Sequence, residues 1–344
     1  MSTVEINASK EYNVIIEKGA LSKVGDLAKD LVGKCRGVII TDDKVDTLYS
    51  GTLTASLESS GFSVIKFAFE NGEKSKNFET YKRIIEFLAE NRIGRKDVIF
   101  ALGGGVVGDI AGFCAATYLR GIRFIQVPTT LLAAVDSSVG GKTGIDLDFG
   151  KNLVGAFYQP ELVVCDPDTL GTLDKNIFAD GCAEVIKYGA ISDGIIFEMM
   201  STPENLDTEA IIRRCVEAKR DVVVKDEFES GLRQILNFGH TFGHAVEKCS
   251  NYKIPHGSAV AVGMSIIMRA TAKKEYADKL LSLLEKYNLP TKTDFGADEL
   301  FESVLSDKKR SADKITLVLP VKEGECKLCD KSLCEVREIL AKGL

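Results

Sequence analysis

The chain holds three histidines, and all of them fall in one stretch: His240 and His244 in NFGHTFGHAVEKC, and His256 in IPHGSAVAVGM. Imidazole is the commonest metal ligand, and two imidazoles with one carboxylate form a frequent catalytic zinc set that leaves room for substrate. A four-residue spacing puts His240 and His244 on one helical face, and Gly239 and Gly243 let a second backbone come close. Two core histidines and a surface one would be the bland alternative, and the clustering of every histidine argues against it. Spacing leaves open which two rings take a metal.

Two other constellations point to anions. Gly103, Gly105 and Gly108 form a GxGxxG after the apolar run Val98 to Leu102, a pattern in which backbone N–H groups approach a pyrophosphate at a helix N-terminus. It departs from the dinucleotide fingerprint, because it follows a late strand and lacks an acid about 20 residues on; a tight turn packed on a helix is the plain alternative. The second set is basic: Arg120 and Arg123, Lys142 in DSSVGGKTG, Lys151 and Asn152 in GKNLVGAF, and Lys187 one helical turn after Glu184. Lysines beside glycines in loops read as phosphate or carboxylate binders. The run Lys308, Lys309, Arg310 reads by composition as a solvated patch.

The elements that must position these residues change character along the chain. Short β-branched runs at Asn13 to Glu17, Val38 to Thr41, Ser63 to Phe67, Val98 to Leu102, Phe124 to Val127 and Leu162 to Cys165 alternate with amphipathic stretches. That alternation predicts βαβ units and a largely parallel sheet. Beyond Asp166-Pro167-Asp168 the period turns helical, as in Ala210 to Val224, Gly257 to Tyr276 and Lys279 to Tyr287, with a late strand at Lys314 to Leu319. A boundary near Asp168 then separates two domains, with the cleft between them as the default site.

At 344 residues with 45% hydrophobic and 27% charged residues, the chain has the composition of an ordinary globular protein and the length to house an enzyme core. The net charge of −6 supplies no global attraction to nucleic acid or anionic membrane. No bilayer-spanning apolar run and no signal-peptide pattern predict a cytoplasmic protein. Nine cysteines, an odd number, suit reduced thiols. Cys326, Cys329 and Cys334 are the most suggestive, yet CKLC reads as extended, where positions three apart face opposite sides and cannot share a metal.

In order along the chain, GGGVVGDIAGFCAATYLRGI, QVPTTLLAAVDSSVGGKTGID, GKNLVGAFYQP, AEVIKYG, GLRQILNFGHTFGHAVE and PHGSAVAVGM closely resemble the 3-dehydroquinate synthase family, from about Thr41 to Pro320. The resemblance implies an α/β fold: a Rossmann-like amino-terminal domain that binds NAD, residues 1–168, and a mainly helical metal- and substrate-binding domain, residues 169–344. It makes Glu184, His240 and His256 the ligands of one divalent ion, zinc or cobalt, and His244 a proton-transfer group. NAD is placed against Asp42, Glu73, Lys76, Gly104, Gly105, Val106 and Asp109, and against Thr129, Thr130, Lys151, Thr169 and Thr172. The substrate, 3-deoxy-D-arabino-heptulosonate 7-phosphate (DAHP), would meet Arg120, Asp136, Asn152, Lys219 and one of Lys308 and Lys309. Lys142, Lys187, Arg233 and Asn237 complete the catalytic set, with Glu229 as a second proton acceptor.

The implied reaction oxidises the C5 alcohol to acidify the neighbouring C–H, eliminates phosphate, returns the hydride and closes the carbocycle by an intramolecular aldol. It would belong to aromatic amino acid biosynthesis by way of shikimate and chorismate. Other sugar phosphate cyclases and the metal-dependent dehydrogenases related to glycerol dehydrogenase are the rival readings. The resemblance also implies a homodimer acting on a small molecule, with neither nucleic acid nor membrane as partner.

Overall fold

The computed structural model describes residues 1–307 and 313–344, which form two compact units. One comprises residues 1–173 with 219–224, and the other residues 174–218 with 225–344.

The first unit is built on seven strands: β1 (Ser2–Asn7), β2 (Glu11–Ile16), β3 (Arg36–Asp42), β4 (Ser63–Phe69), β5 (Val98–Gly103), β6 (Arg123–Pro128) and, later in the chain, β9 (Leu162–Cys165). Their order across the sheet is β1-β2-β9-β6-β5-β3-β4. Only β1 and β2 pair antiparallel; the remaining pairs are parallel, as the alternation of strands and helices predicts. Helices cover both faces, so the central strands are apolar on both sides. Ile39, Phe100 and Leu102 pack with Leu53 and Leu57 on one face, whereas Val38, Ile40, Ile99 and Ala101 pack with Ile84, Leu88 and Ile110 on the other. β3 continues to β4 on one side of it and its neighbour β5 continues to β6 on the other, so the connections from this adjacent pair run in opposite directions. The carboxyl ends of β3 and β5 are therefore the topological switch point, where open α/β sheets leave a crevice for a ligand.

A two-stranded hairpin, β7 (Lys142–Leu147) and β8 (Gly150–Phe157), occupies segments that read as binding loops in the sequence. Gly144 and Gly155 lie opposite each other in the register, and a Cβ on Gly155 would stand 2.1 Å from the Thr143 carbonyl oxygen. Those glycines serve close strand approach, which their proximity to lysine obscured.

The second unit is mainly helical. Its helices include Lys175–Ile191, His240–Cys249, His256–Thr271 and Lys274–Lys286, and the hairpin of β10 (Lys314–Lys322) and β11 (Glu325–Ser332) stands beside them. The helix expected over Gly257 to Tyr276 ends at Thr271, because Ala272 and Lys273 are extended and a new helix begins at Lys274. Both helices bury an apolar face, so their joint periodicity hides a two-residue break. Cys326 and Cys329 lie on β11, extended as anticipated. No disulfide links the nine cysteines, and no helix among the described residues is long and apolar enough to cross a membrane.

Candidate active site

The helix Lys175–Ile191 is buried along most of its length, and it carries an acid and a base on one face, Glu184 and Lys187. Lys187 Nζ is ion-paired with Glu184 Oε2. The other carboxylate oxygen, Oε1, lies 3.6 Å from His240 Nε2 and 3.6 Å from His256 Nε2. Both rings sit at helix starts: His240 follows Gly239, whose φ is 81°, and His256 follows Pro255. The donors of Glu184, His240 and His256 all lie within 4.8 Å of one another. With metal–ligand bonds of about 2.0–2.2 Å, a tetrahedral site has donor–donor edges of about 3.4 Å. The trio therefore fits a divalent ion of zinc or cobalt size.

The electrostatics differ between the rings. Burial pushes His240 down to about 3, reinforced by the Lys187 charge, so it stands neutral with a lone pair to give. Burial also opposes charge on His256, but the carboxylates of Glu184 and Glu247 outweigh it and lift that ring to about 10. A cation binding at its Nε2 would displace that proton. His244 is exposed, with its ring 5.5 Å from His240 and 6.2 Å from His256. Arg233 is buried, and its backbone N–H donates to Asp226 Oδ2 at 2.9 Å. Asp226 also accepts from Ser230 and Gly231, which shapes the turn holding Glu229 and Arg233. Those hydrogen bonds, led by the Arg233 N–H, hold its carboxyl well below the usual range. Asn237 Nδ2 donates to Glu229 Oε1 at 3.0 Å.

In the first unit, the expected cofactor residues gather at the carboxyl ends of the strands. Asp42 ends β3, Gly103 ends β5 with Gly104 capping the helix Gly105–Thr117, and Thr129 follows β6 and donates its N–H to the Gly103 carbonyl at 2.9 Å. A Cβ on Gly108 would stand 2.6 Å from Gln126 Oε1, so its lack of a side chain lets the helix lie against β6. Lys76 is buried, and its ammonium is 3.1 Å from Asp109 Oδ2, 2.7 Å from Asn152 Oδ1 and 3.2 Å from Glu73 Oε1. Burial raises Asp109 to about 6, against the pull of Lys76 and with the help of Glu73 and Asp146. Lys219 Nζ binds both the carbonyl and the carboxylate of Asp136, at 2.7 and 3.0 Å. Tyr49 OH reaches the Thr169 carbonyl at 2.9 Å and Thr172 Oγ1 at 2.5 Å.

Residues 66–180 match the family 3-dehydroquinate synthase N-terminal, and residues 181–310 match 3-dehydroquinate synthase C-terminal. The chain is 45% identical to the 3-dehydroquinate synthase of Clostridium kluyveri, across 98% of this chain and 97% of that one. The chain belongs to the 3-dehydroquinate synthase family. Among solved structures, a 2-deoxy-scyllo-inosose synthase complexed with carbaglucose-6-phosphate, NAD+ and Co2+ matches with a TM-score of 0.87, 27% identity and full coverage of both chains. A probable glycerol dehydrogenase from Sinorhizobium meliloti matches at a TM-score of 0.66, 14% identity and 95% coverage of both chains, a likeness of fold alone.

For a member of the 3-dehydroquinate synthase family, the arrangement separates the expected residues into clusters. Glu184, Lys187, His240, His244 and His256 come together, as do Glu73, Lys76, Asp109 and Asn152; Asp136 meets Lys219. Lys142 opens β7 with an exposed side chain, Lys151 stands beside Asn152 on β8, and Arg120 is exposed at the end of a short turn. Val106 and Gly105 lie in the first helical turn after β5, with Thr130 beside Gly104. Lys308 and Lys309 lie outside the described residues. Arg120, Asn152 and Glu229 share φ values of 67°, 56° and 59°, a region that non-glycine residues seldom occupy and that recurs at functional sites.

Three acids escaped the sequence reading. Asp146 accepts the Asn152 N–H at 2.7 Å, Asp226 orders the Glu229 turn, and Glu247 lies 3.5 Å from His256 Nδ1. The sequence signals were faint: GIDLD closely follows the Lys142 motif, ESG follows Asp226, and Glu247 is three residues beyond His244 in HAVE.

Proposed function

We infer that this chain converts DAHP to 3-dehydroquinate and phosphate, as a carbon–oxygen lyase of aromatic amino acid biosynthesis. The observation that carries the reading is the convergence of Glu184 Oε1 with the Nε2 atoms of His240 and His256 from three separate segments, in a chain 45% identical to a 3-dehydroquinate synthase. The carboxyl ends of β3, β5 and β6 in residues 1–168 would hold NAD, and the three donors in residues 169–344 would hold zinc or cobalt. When bound, NAD takes up and gives back the C5 hydride while the divalent ion polarises the hydroxyl there.

The chain's own side chains supply the rest. Glu73, Lys76 and Asp109 fix one another beside the glycine turn and so present a shaped polar surface to the nucleotide. Lys142, Lys187, Arg120 and Arg233 meet the phosphate and carboxylate of the substrate; Asn152, Lys219, Asp136 and Asn237 orient its hydroxyls. His244 keeps a solvent-reachable ring beside the two ligand imidazoles, a place from which it can move a proton at the substrate. Glu229, held by Asn237, is the second proton acceptor. We place the protein in the cytoplasm as a homodimer.

The test follows from the order of bond changes. With purified protein, DAHP, NAD and zinc, one phosphate is released per DAHP consumed, 3-dehydroquinate forms, and no NADH accumulates over many turnovers. Stoichiometric NADH would defeat this reading and favour a dehydrogenase, whose fold the chain shares.

A further inference from the structure

His256 is held from both sides by acids. Its Nε2 faces Glu184 Oε1 at 3.6 Å and its Nδ1 faces Glu247 Oε2 at 3.5 Å. Glu247 is 2% exposed, and a carboxylate removed from water so completely is costly unless it answers a charge or a donor. It stands on the same helix as His240 and His244, while His256 opens the next. The contact is therefore a bridge between two helices, made at the ring atom that does not face the other metal donors. His240 shows the same device in milder form, with its Nδ1 at 3.2 Å from the Phe238 carbonyl oxygen and its Nε2 toward Glu184.

We propose that Glu247 is a positioning residue for the metal centre: it accepts the Nδ1–H of His256, fixes that tautomer and rotation, and leaves the Nε2 lone pair facing Glu184 and His240. A ring with one nitrogen committed to a carboxylate is a better-oriented and more basic ligand at the other. The inference rests on the reading of Glu184, His240 and His256 as ligands, and it adds a residue that touches neither ion nor substrate.

One competing arrangement is visible. His244, Glu247 and His256 also bring donor atoms within 4.8 Å of one another, so Glu247 could itself be a ligand of a second ion. His256 would then have to present Nδ1 to that ion, and Nε2 to the first, as a bridging imidazolate. The positional role needs only one ion and a neutral ring, and it parallels the contact of His240 Nδ1 with the Phe238 carbonyl.

The test uses full-length, metal-stripped protein titrated with zinc against a chromophoric chelator, followed by visible spectra of the Co2+ forms. Glu247→Ala should weaken zinc binding by roughly tenfold to a hundredfold and alter the Co2+ spectrum. Glu247→Gln, which can still accept the Nδ1–H through its amide oxygen, should recover much of that loss. His256→Ala should lose more than either. Because the chain has three histidines, imidazole 15N spectra of the zinc form resolve each ring, and His256 should carry its proton on Nδ1 in the wild type and in Glu247→Gln. Melting of the metal-free proteins identifies any variant that fails to fold, and should Glu247→Ala do so, Glu247→Gln carries the comparison with an expected loss of several-fold. Unchanged zinc affinity in the folded Glu247 variants, with His256→Ala impaired, overturns the role of Glu247 alone. Unchanged affinity in His256→Ala as well overturns the ligand set and this proposal together. A second zinc equivalent, lost in both His244→Ala and Glu247→Ala, would make Glu247 a ligand and also overturn the proposal.

Discussion

Asp109 is the residue whose charge state is poised where mild acid reaches it. Its folded value of about 6 lies above the ordinary 3.8 because burial outweighs the Lys76 ammonium. A carboxyl raised in this way binds its proton more tightly in the folded chain than in the unfolded one. Its contribution to stability is thus full below pH 3.8 and fades as pH rises through 6. Asp109→Asn should flatten that part of the pH dependence of Tm, read by calorimetry between pH 4 and 7, and an unchanged profile would count against the burial argument. At this scale the candidate groups were legible, since three clustered histidines and a strand followed by GxGxxG are residue types suited to metal and anion binding, although which rings would bind stayed open. Glu247 and Asp146 were not, because a glutamate in a helix or an aspartate near a turn has the same letters whether it faces water or another side chain.

Elements set the metal geometry through glycine. The helix that begins at His256 meets the helix of Glu184 at Gly257, where a Cβ would lie 2.2 Å from the Asp180 carbonyl oxygen. It meets the His240 helix at Gly263, where a Cβ would lie 2.0 Å from the Gly239 carbonyl oxygen and 2.7 Å from the Gly243 nitrogen. Alanine at a helical glycine gains about 1 kcal/mol in helix propensity. Contact with backbone at that distance outweighs the gain, so Gly263→Ala should destabilise the protein by about 1–3 kcal/mol. It should also weaken zinc binding by displacing His240 from His256. Gly51→Ala is the control: nothing lies within 4 Å of its Cβ position, and a gain of about 0.4–1 kcal/mol is expected in denaturant unfolding. Equal effects of the two substitutions would contradict the packing account. Helix and strand periods in the sequence located these elements well, yet the β7–β8 hairpin read as loops, since its glycines and lysines match binding turns as readily as a close-packed pair of strands.

At the scale of the molecule, a fold shared with a glycerol dehydrogenase at 14% identity cannot decide the reaction. What it does is carry a glycine turn at the carboxyl ends of the parallel strands in one unit and a histidine-rich helix cluster in the other. Zinc bound only by the folded chain should stabilise it by about 2.7 kcal/mol at a hundredfold excess over Kd, seen as a rise in Tm of metal-stripped protein. His256→Ala should lose that rise, and a zinc-independent Tm in the wild type would speak against the three donors as a site. The sequence by itself determined the parallel sheet, the change to helices beyond Asp168 and the family, because periodicity and ordered motifs are local properties that survive in one dimension. It also supplied the list of groups able to do chemistry. Only the tertiary structure decided that Lys187 takes one oxygen of Glu184 and leaves the other to two imidazoles, that Lys76 sits among Glu73, Asp109 and Asn152, and that an acid backs His256. The distance between groups far apart in the chain is set by how helices and strands pack, and packing is a property of the whole folded chain that no window of residues contains.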